Sequence, residues 1–370
     1  MKKSLLSFSI LALIGHTVIA QNVNIPDANF KAYLVGQSGI NLNMDSEIQV
    51  SEANSFSGTI DCGASSIIDL TGIEEFTALT DLNIYNNQVT SMDLSNNVNL
   101  INLYCNDNLL TSLDISNNTA LLTLDCSNNP LGALDVSTNT VLTNLICRSN
   151  QLTNLDVSTN VALTYLNCQF NQITNLNLST NAVLATLNCM FNQLTSLTFT
   201  NSISTFQCTN NLLTSLDLSG NTSLTVLTCG ENQLTALNVK NGNNLNMNGV
   251  LFGTLDNPGL SCIEVDDAAY SAANWIYIDA TTSFSIDCDG GLGLTTNELV
   301  TMTLYPNPAT SNLTIETDEV ILQVSIFNFD GKLVQNENSS TFSVENLETG
   351  IYNANVVTNN GVQTIRFIKE

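Results

Sequence analysis

Histidine is all but missing. The 370-residue chain holds one, His16, inside a segment that reads as a leader. A chain without imidazole has no His base for serine or cysteine catalysis and no His metal ligand. Basic residues are nearly as scarce: eight Lys and Arg stand against 33 Asp and Glu, a formal charge of −25. Losing Lys2 and Lys3 with the leader removes two positive charges and makes it −27. Such a chain does not bind nucleic acid or anionic lipid through charge. Between the leader and the C-terminal region only Lys31, Arg148 and Lys240 are basic. Charged residues of both signs make up 11%, too few for an acidic disordered tail, so Asn, Ser and Thr carry solubility.

A long apolar run is absent as well. Lys2 and Lys3 precede an apolar stretch, Leu5 to Ile19, that Ser7, Ser9, Gly15 and His16 interrupt. It is too short and broken for a permanent span, and it has the basic start and apolar middle of a secretory signal. Residues 1–20 are expected to be removed, with the cut before Gln21. No Cys follows that point, so no lipoprotein anchor is expected.

What is present is a 21-residue phrase. It starts at Leu79, Leu100, Leu121, Leu142, Leu163, Leu184, Ile203 and Leu224, with a worn copy at Leu245. A fixed period of this size marks a solenoid. The half Leu-x-x-Leu-x-Cys-x-x-Asn alternates inward and outward, which predicts a short strand with its apolar side buried. Asn87, Asn108, Asn129, Asn150, Asn171, Asn192, Asn211 and Asn232 follow the strands, where a buried carboxamide can bond the backbone of its own and the neighbouring coil. The other half, Leu-Thr-x-Leu-Asp-Val-Ser-x-Asn, turns the apolar side inward again and bends on Asp, Ser and Asn. No coil buries its apolar edge alone; stacking does that.

These residues resemble the leucine-rich repeats of secreted bacterial proteins, in particular the internalin type, in which Cys replaces one consensus Leu and builds a ladder. The resemblance covers residues 79–255. It implies coils with a parallel sheet on one face, an irregular convex side, and caps at both ends. Residues 21–78 are expected to form the N-terminal cap and irregular first coils. Within them Ile25 to Gln37 reads as a short helix, with Pro26 in its first turn and Phe30, Tyr33 and Leu34 on one face. Residues 256–288 are expected to form the C-terminal cap.

Cys105, Cys126, Cys147, Cys168, Cys189, Cys208 and Cys229 hold one inward position, 21 residues apart except for a step of 19 before Cys208. Parallel strands keep equivalent Cβ atoms about 4.8 Å apart, whereas a disulfide needs about 3.8 Å. The ladder therefore reads as buried free thiols acting as small hydrophobes. A row of thiols surrounds one tetrahedral zinc poorly, and no metal or other cofactor is expected. Cys262 and Cys288 leave the spacing. The resembling proteins close their last coil with a similar Cys-Ile-x-Val-Asp-Asp to Asp-Cys segment, which implies a disulfide here. Closing such a loop contributes roughly 3–4 kcal/mol by the chain-entropy estimate. Ile263, Tyr270 and Trp275 are then expected over the last apolar rung.

The outward strand positions form the candidate binding face. Phe170 and Phe191 occupy the same place in adjacent coils, with Met190 and Tyr165 beside them and Arg148 one coil below; Tyr85 and Tyr104 continue the face downward. Aromatic–Arg clusters concentrate binding energy, although each Phe folding over its own turn is an equal alternative. Asp93, Asp114, Asp135, Asp156 and Asp217 form a second row, read as turn caps ahead of a calcium row because Asn177, Thr198 and Asn238 interrupt it and no calcium-loop consensus is present. Asp266-Asp267 is the one conspicuous carboxylate pair that breaks the repeat.

After Cys288 the period stops. Residues 289–298 read as a Gly-rich linker, and residues 299–370 as a small antiparallel sandwich with turns at Asp330-Gly331 and Asn360-Gly361. Tyr305-Pro306-Asn307-Pro308, Gly350 with Tyr352, and the closing Arg366-Phe-Ile-Lys-Glu370 resemble the C-terminal sorting domain of the Bacteroidetes type IX secretion system. The resemblance implies the secretion machinery as a partner, and a secreted or outer-surface location. Together the two resemblances imply a non-catalytic adhesion or binding protein with an extracellular protein or glycan ligand. A self-associating surface-layer component is the alternative.

Overall fold

The computed structural model describes residues 21–247, 249–288, 302–317, 319–328, 332–358 and 361–370. The leader, the linker and the turn residues Asp330, Gly331 and Asn360 lie outside the described residues. The chain divides into two compact units, the first ending at Cys288 and the second beginning at Asp289.

The first unit is the repeat solenoid. Each coil gives one short strand to a ten-stranded parallel sheet: Thr59–Asp61, Asp81–Asn83, Asn102–Tyr104, Thr123–Asp125, Asn144–Ile146, Tyr165–Asn167, Thr186–Asn188, Thr205–Gln207, Val226–Thr228 and Phe252–Gly253. The register is strict: Leu103 pairs with Leu82 below and Leu124 above. Because side chains alternate along a strand, this middle residue points inward and its two neighbours outward. One coil then buries Leu100, Leu103, Cys105, Leu110 and Ile115. Full burial of a Leu contributes roughly 1.5–3 kcal/mol, and a stack of coils sums such terms between neighbours. The 19-residue step leaves the register intact, with Thr186 opposite Thr205.

The return limb is more ordered than the repeat phrase implies. Its lower coils carry no strand among the described residues. Higher up, Asn175–Asn177 pairs with Ser196–Thr198, and Ser215–Asp217, Ala236–Asn238, Cys262–Glu264 and Ser283–Ser285 form a second parallel sheet of four.

Both ends of the stack are closed. Helix α1 (Ala28–Val35) starts at Asp27, whose Oδ1 accepts from the amides of Asn29 and Phe30. Pro26 precedes that cap, so it stands outside the first turn where the sequence placed it. Phe30 and Leu34 are buried against the first coil, and the Asp61 amide on the edge strand donates to the Tyr33 hydroxyl at 2.9 Å. A second helix, α2 (Val50–Ser55), precedes the first strand. At the far end Trp275 stacks on Phe252 with ring centroids 4.0 Å apart, and Ile263 is fully buried. Tyr270 is half-buried and donates its hydroxyl to the Leu245 carbonyl at 3.4 Å. Helix α3 (Ala268–Asn274) lies between Cys262 and Cys288, which are joined by a disulfide with Cα atoms 5.7 Å apart.

The second unit is a two-sheet antiparallel sandwich. Thr303–Tyr305, Asn312–Glu316 and Thr341–Ser343 form one sheet; Leu333–Glu337, Ile321–Asn328, Gly350–Thr358 and Gly361–Lys369 form the other. Leu313, Ile315 and Phe342 of the first meet Val324, Ile326, Tyr352, Val356 and Phe367 of the second in one core. The strand Leu333–Glu337 has no counterpart in the sequence reading. It is an edge strand whose Leu333 and Val334 are both exposed, so it shows no apolar alternation.

Candidate functional site

Each coil leaves the main sheet through a tight corner. The ladder cysteine ends the inward run, one residue faces out, the next takes a left-handed backbone, and the ladder asparagine turns in. The left-handed positions are Ala64, Asn86, Asp107, Asn128, Ser149, Phe170, Phe191, Asn210, Glu231 and Asp256, all with φ between 51° and 63°. Asn and Asp tolerate this region because the short side chain bonds locally; a bulky residue there is strained by about 1–3 kcal/mol. Phe170 and Phe191 are the two aromatic members of the column.

Elsewhere in the column neighbours bond along the stack. Asn128 Nδ2 donates to Asp107 Oδ1 at 2.7 Å, and Asn210 Nδ2 to Glu231 Oε2 at 2.7 Å. The phenylalanines stack instead, with centroids 4.5 Å apart and planes 7° from parallel. Both stay exposed, Phe170 by 47% and Phe191 by 37%. The backbone ties them together, because the Phe170 amide donates to the Met190 carbonyl at 3.0 Å.

The remaining candidates spread over several columns of the same face. Tyr165 opens its strand and Tyr104 closes its own. Arg148 and Met190 share the column just after the cysteines; both are half-buried, and Arg148 makes no ion pair among the described residues. Tyr85 belongs to that column too, but its ring lies on Gly63, where a Cβ would come within 2.0 Å of it. Tyr85 and Tyr104 therefore sit coils below the phenyl pair. Three coils separate Tyr104 from Phe170, about 14 Å at the sheet spacing. The structure brings Phe170, Phe191 and Met190 together and leaves the two lower tyrosines apart.

The other rows are structural. The thiols at 62, 105, 126, 147, 168, 189, 208 and 229 are all unpaired and buried. Burial pushes Cys62, Cys168 and Cys229 up to about 12 and the others well above the ordinary thiol value. They stay protonated at neutral pH, so they offer no thiolate nucleophile or ligand. The Asp row caps turns: Asp93, Asp114, Asp135, Asp156 and Asp217 each accept the amide of the Ser two residues on at 2.9–3.0 Å. Asp266 and Asp267 do not form a reactive pair. Asp267 caps α3 through the Tyr270 amide at 2.9 Å, and Asp266 accepts from Gly242 at 2.9 Å and Asn244 at 3.2 Å.

In the second unit the signature residues build around the last strand. Asn307 Oδ1 accepts the Ile368 amide at 2.9 Å, and its Nδ2 donates to the Arg366 carbonyl at 3.3 Å. Ala309, just after Pro308, bonds Ile368 and Glu370. Gly350 pairs with Lys369, and buried Tyr352 stacks on Phe367 and donates to the Glu348 carbonyl at 2.8 Å. Tyr305 is 49% exposed.

Residues 303–370 match the family described as a secretion system C-terminal sorting domain. This tail marks the chain for secretion or for attachment at the outer surface. No curated protein matches the chain. Among solved structures, the functional domain of InlJ from Listeria monocytogenes, which includes a cysteine ladder, is 25% identical, covering 95% of this chain and 99% of that one, with a TM-score of 0.45. A leucine-rich-repeat protein of Leptospira interrogans is 20% identical over 64% of this chain and 62% of its own, with a TM-score of 0.49. Internalin C2 of Listeria monocytogenes is 19% identical over 62% of this chain and 96% of its own, at 0.45.

Proposed function

We propose that the solenoid is a non-catalytic binding module, carried outside the cell by the C-terminal sorting domain, and that the Phe170–Phe191 stack anchors its ligand. One observation carries this reading. Two aromatic residues hold a left-handed position that the rest of the column fills with Asn, Asp, Ser, Glu or, in the first coil, Ala, and they stay exposed there. Strain that the fold does not require marks a site where function selects the side chain. An exposed aromatic pair with Met190 beside it supplies large apolar contact area at low entropy cost.

The ligand is an extracellular protein or glycan. The test presents the chain from residue 21 onward to glycan and extracellular-protein arrays, beside the Phe170→Ser/Phe191→Ser double variant. A partner lost by a variant whose circular dichroism is unchanged supports the reading. A partner retained at full strength moves the site elsewhere on the face. No partner, with concentration-dependent association in sedimentation, replaces the reading with a self-assembling surface component.

A further inference from the structure

The N-terminal cap is a helix, a loop over residues 36–49 and a second helix, and residues 41–52 have the spacing of a cation loop. With Asn41 as position 1, oxygen-bearing side chains fall at positions 1, 3, 5, 9 and 12: Asn41, Asn43, Asp45, Gln49 and Glu52. Helix–loop–helix calcium sites take their ligands from these places, with a backbone carbonyl from position 7, here Glu47. Position 8, Ile48, is fully buried and holds the loop to the core, while its carbonyl accepts the Val23 amide at 2.7 Å. The loop departs from the usual pattern in carrying Asn for Asp at position 1 and Ser46 for Gly at position 6. Its left-handed residue is Met44, φ 58°.

The side chains converge. Asn43 Nδ2 donates to Asp45 Oδ2 and to Gln49 Oε1, both at 2.8 Å, and Gln49 Nε2 donates to Asp45 Oδ2 at 3.0 Å. The Glu52 carboxylate accepts the amides of Leu42, Asn43 and Gln49 at 2.8–3.1 Å. Asn43, Asp45, Gln49 and Glu52 line one open depression of about 580 Å³. The independent sign is Asn41. It is 2% exposed, and its Nδ2 reaches across the loop to the Asp45 carbonyl at 2.8 Å and back to the Val35 carbonyl at 3.1 Å. Its Oδ1 is buried with no hydrogen-bond partner among the described residues. The return-side asparagines of the repeats also carry an open Oδ1, but Asn41 stands outside the repeats, at the first ligand position of this loop, and a buried acceptor left open costs free energy unless something satisfies it.

We propose that residues 41–52 form a calcium site, with Asn41 Oδ1, Asp45 and Glu52 as its fixed oxygens. Turning over the Gln49 amide, which now directs its NH₂ at Asp45, adds Oε1, while Asn43 Oδ1, which accepts the Asp45 amide at 3.0 Å, keeps a second lone pair. The Glu52 oxygens keep lone pairs beyond those used by the amides. The sequence reading expected no metal from the absence of His, the interrupted Asp row and the lack of a calcium-loop consensus; the last is true of the repeats and not of this loop. With only two carboxylates the affinity is low, a Kd on the order of 10⁻⁴ to 10⁻³ M, as in extracellular calcium modules. Mg²⁺ demands a tighter octahedron and is not held.

The test is calorimetric titration of the chelator-stripped chain from residue 21 onward with CaCl₂ and, separately, MgCl₂. One Ca²⁺ per chain is expected, without a matching Mg²⁺ event. Asp45→Asn, which keeps the shape, weakens binding at least about tenfold. Asn41→Asp completes the carboxylate set and tightens it by at least about the same factor. Overturning results are no calcium heat at 10 mM, equal response to both ions, or the same affinity in either variant. The second variant separates a ligand role from a packing role, because it gains where a structural substitution loses.

Discussion

The regular coils of the solenoid turn two corners, and a buried asparagine stands at each; in the 19-residue coil Thr200 takes the return-side place. At the strand-side corner the carboxamide is used at both ends, except at Asn150, whose Oδ1 has no partner among the described residues. Asn171 Nδ2 donates to the carbonyls of Cys147 and Cys168 at 3.0 and 2.9 Å, and its Oδ1 accepts from Asn150 and Leu152 at 3.0 and 2.9 Å. At the return-side corner only one end is used. Asn160 Nδ2 donates to Val136 and Asn139 at 2.9 and 2.8 Å, while its Oδ1, like those of Asn97, Asn118, Asn139, Asn181 and Asn221, has no partner among the described residues. The same residue at the same period is a two-coil staple on one side and a one-way donor on the other. Burial alone does not reveal which; the direction of the nearby amides does.

This difference orders the expected losses. Asn171→Ala leaves the Asn150 and Leu152 amides unsatisfied, while the Cys147 and Cys168 carbonyls keep the Nδ2 of Asn150 and Asn192, and it is expected to cost about 3–4 kcal/mol in chemical denaturation. Asn160→Ala strands no group, because the Val136 and Asn139 carbonyls keep the amides of Asn139 and Leu142, and it is expected to cost about half as much, roughly 1–2 kcal/mol. Equal losses would erase the distinction between the corners.

A smaller effect sharpens the strand-side corner. Phe191→Asn relieves a strained left-handed residue but gives up a ring stack worth about 0.5–1.5 kcal/mol. The two nearly cancel, so stability is expected to stay within about 0.5 kcal/mol while binding falls. A large destabilisation would mean that the ring is packing rather than anchor.

The smallest effect belongs to the return side, where carboxylates precede the asparagines. The Ser hydroxyl and amide two residues on hold Asp93 and Asp114 below the ordinary carboxyl value, and the Ser amide and hydroxyl do the same for Asp135 and Asp156. A depressed folded value means that the contribution is complete above about pH 3.8 and is lost as pH falls through the lower one. Hydrogen exchange should therefore show Ser158 losing protection relative to Leu152 on acidification. Parallel loss at both sites would remove the asymmetry.

Much of this was legible in the sequence. A period of 21 fixes which side chains face inward, so the strands, the thiol row and the strand-side asparagine row followed from spacing alone. The disulfide and the tail strands followed from resemblance and alternation. The left-handed column did not, because backbone handedness is set by the corner and not by any one residue, although the Asn-Asn pairs at 86–87, 128–129 and 210–211 were its trace. Asn257, which extends the row by donating to Cys229 and Thr254, was hidden because the last coil loses the period. Tyr85 looked like a binding residue because Gly63 beneath it lies outside the repeats.

The 19-residue coil shows how little the stack asks of its parts. Two residues fewer on the far side leave the strand register unchanged, and each coil is bonded only to the next. Whole units can accordingly be duplicated or lost by recombination in frame, lengthening or shortening the reach of the protein while both end closures and the tail stay as they are. The phenyl pair travels with its own two units, so its distance from either end is open to adjustment through gene copying rather than through redesign of any residue.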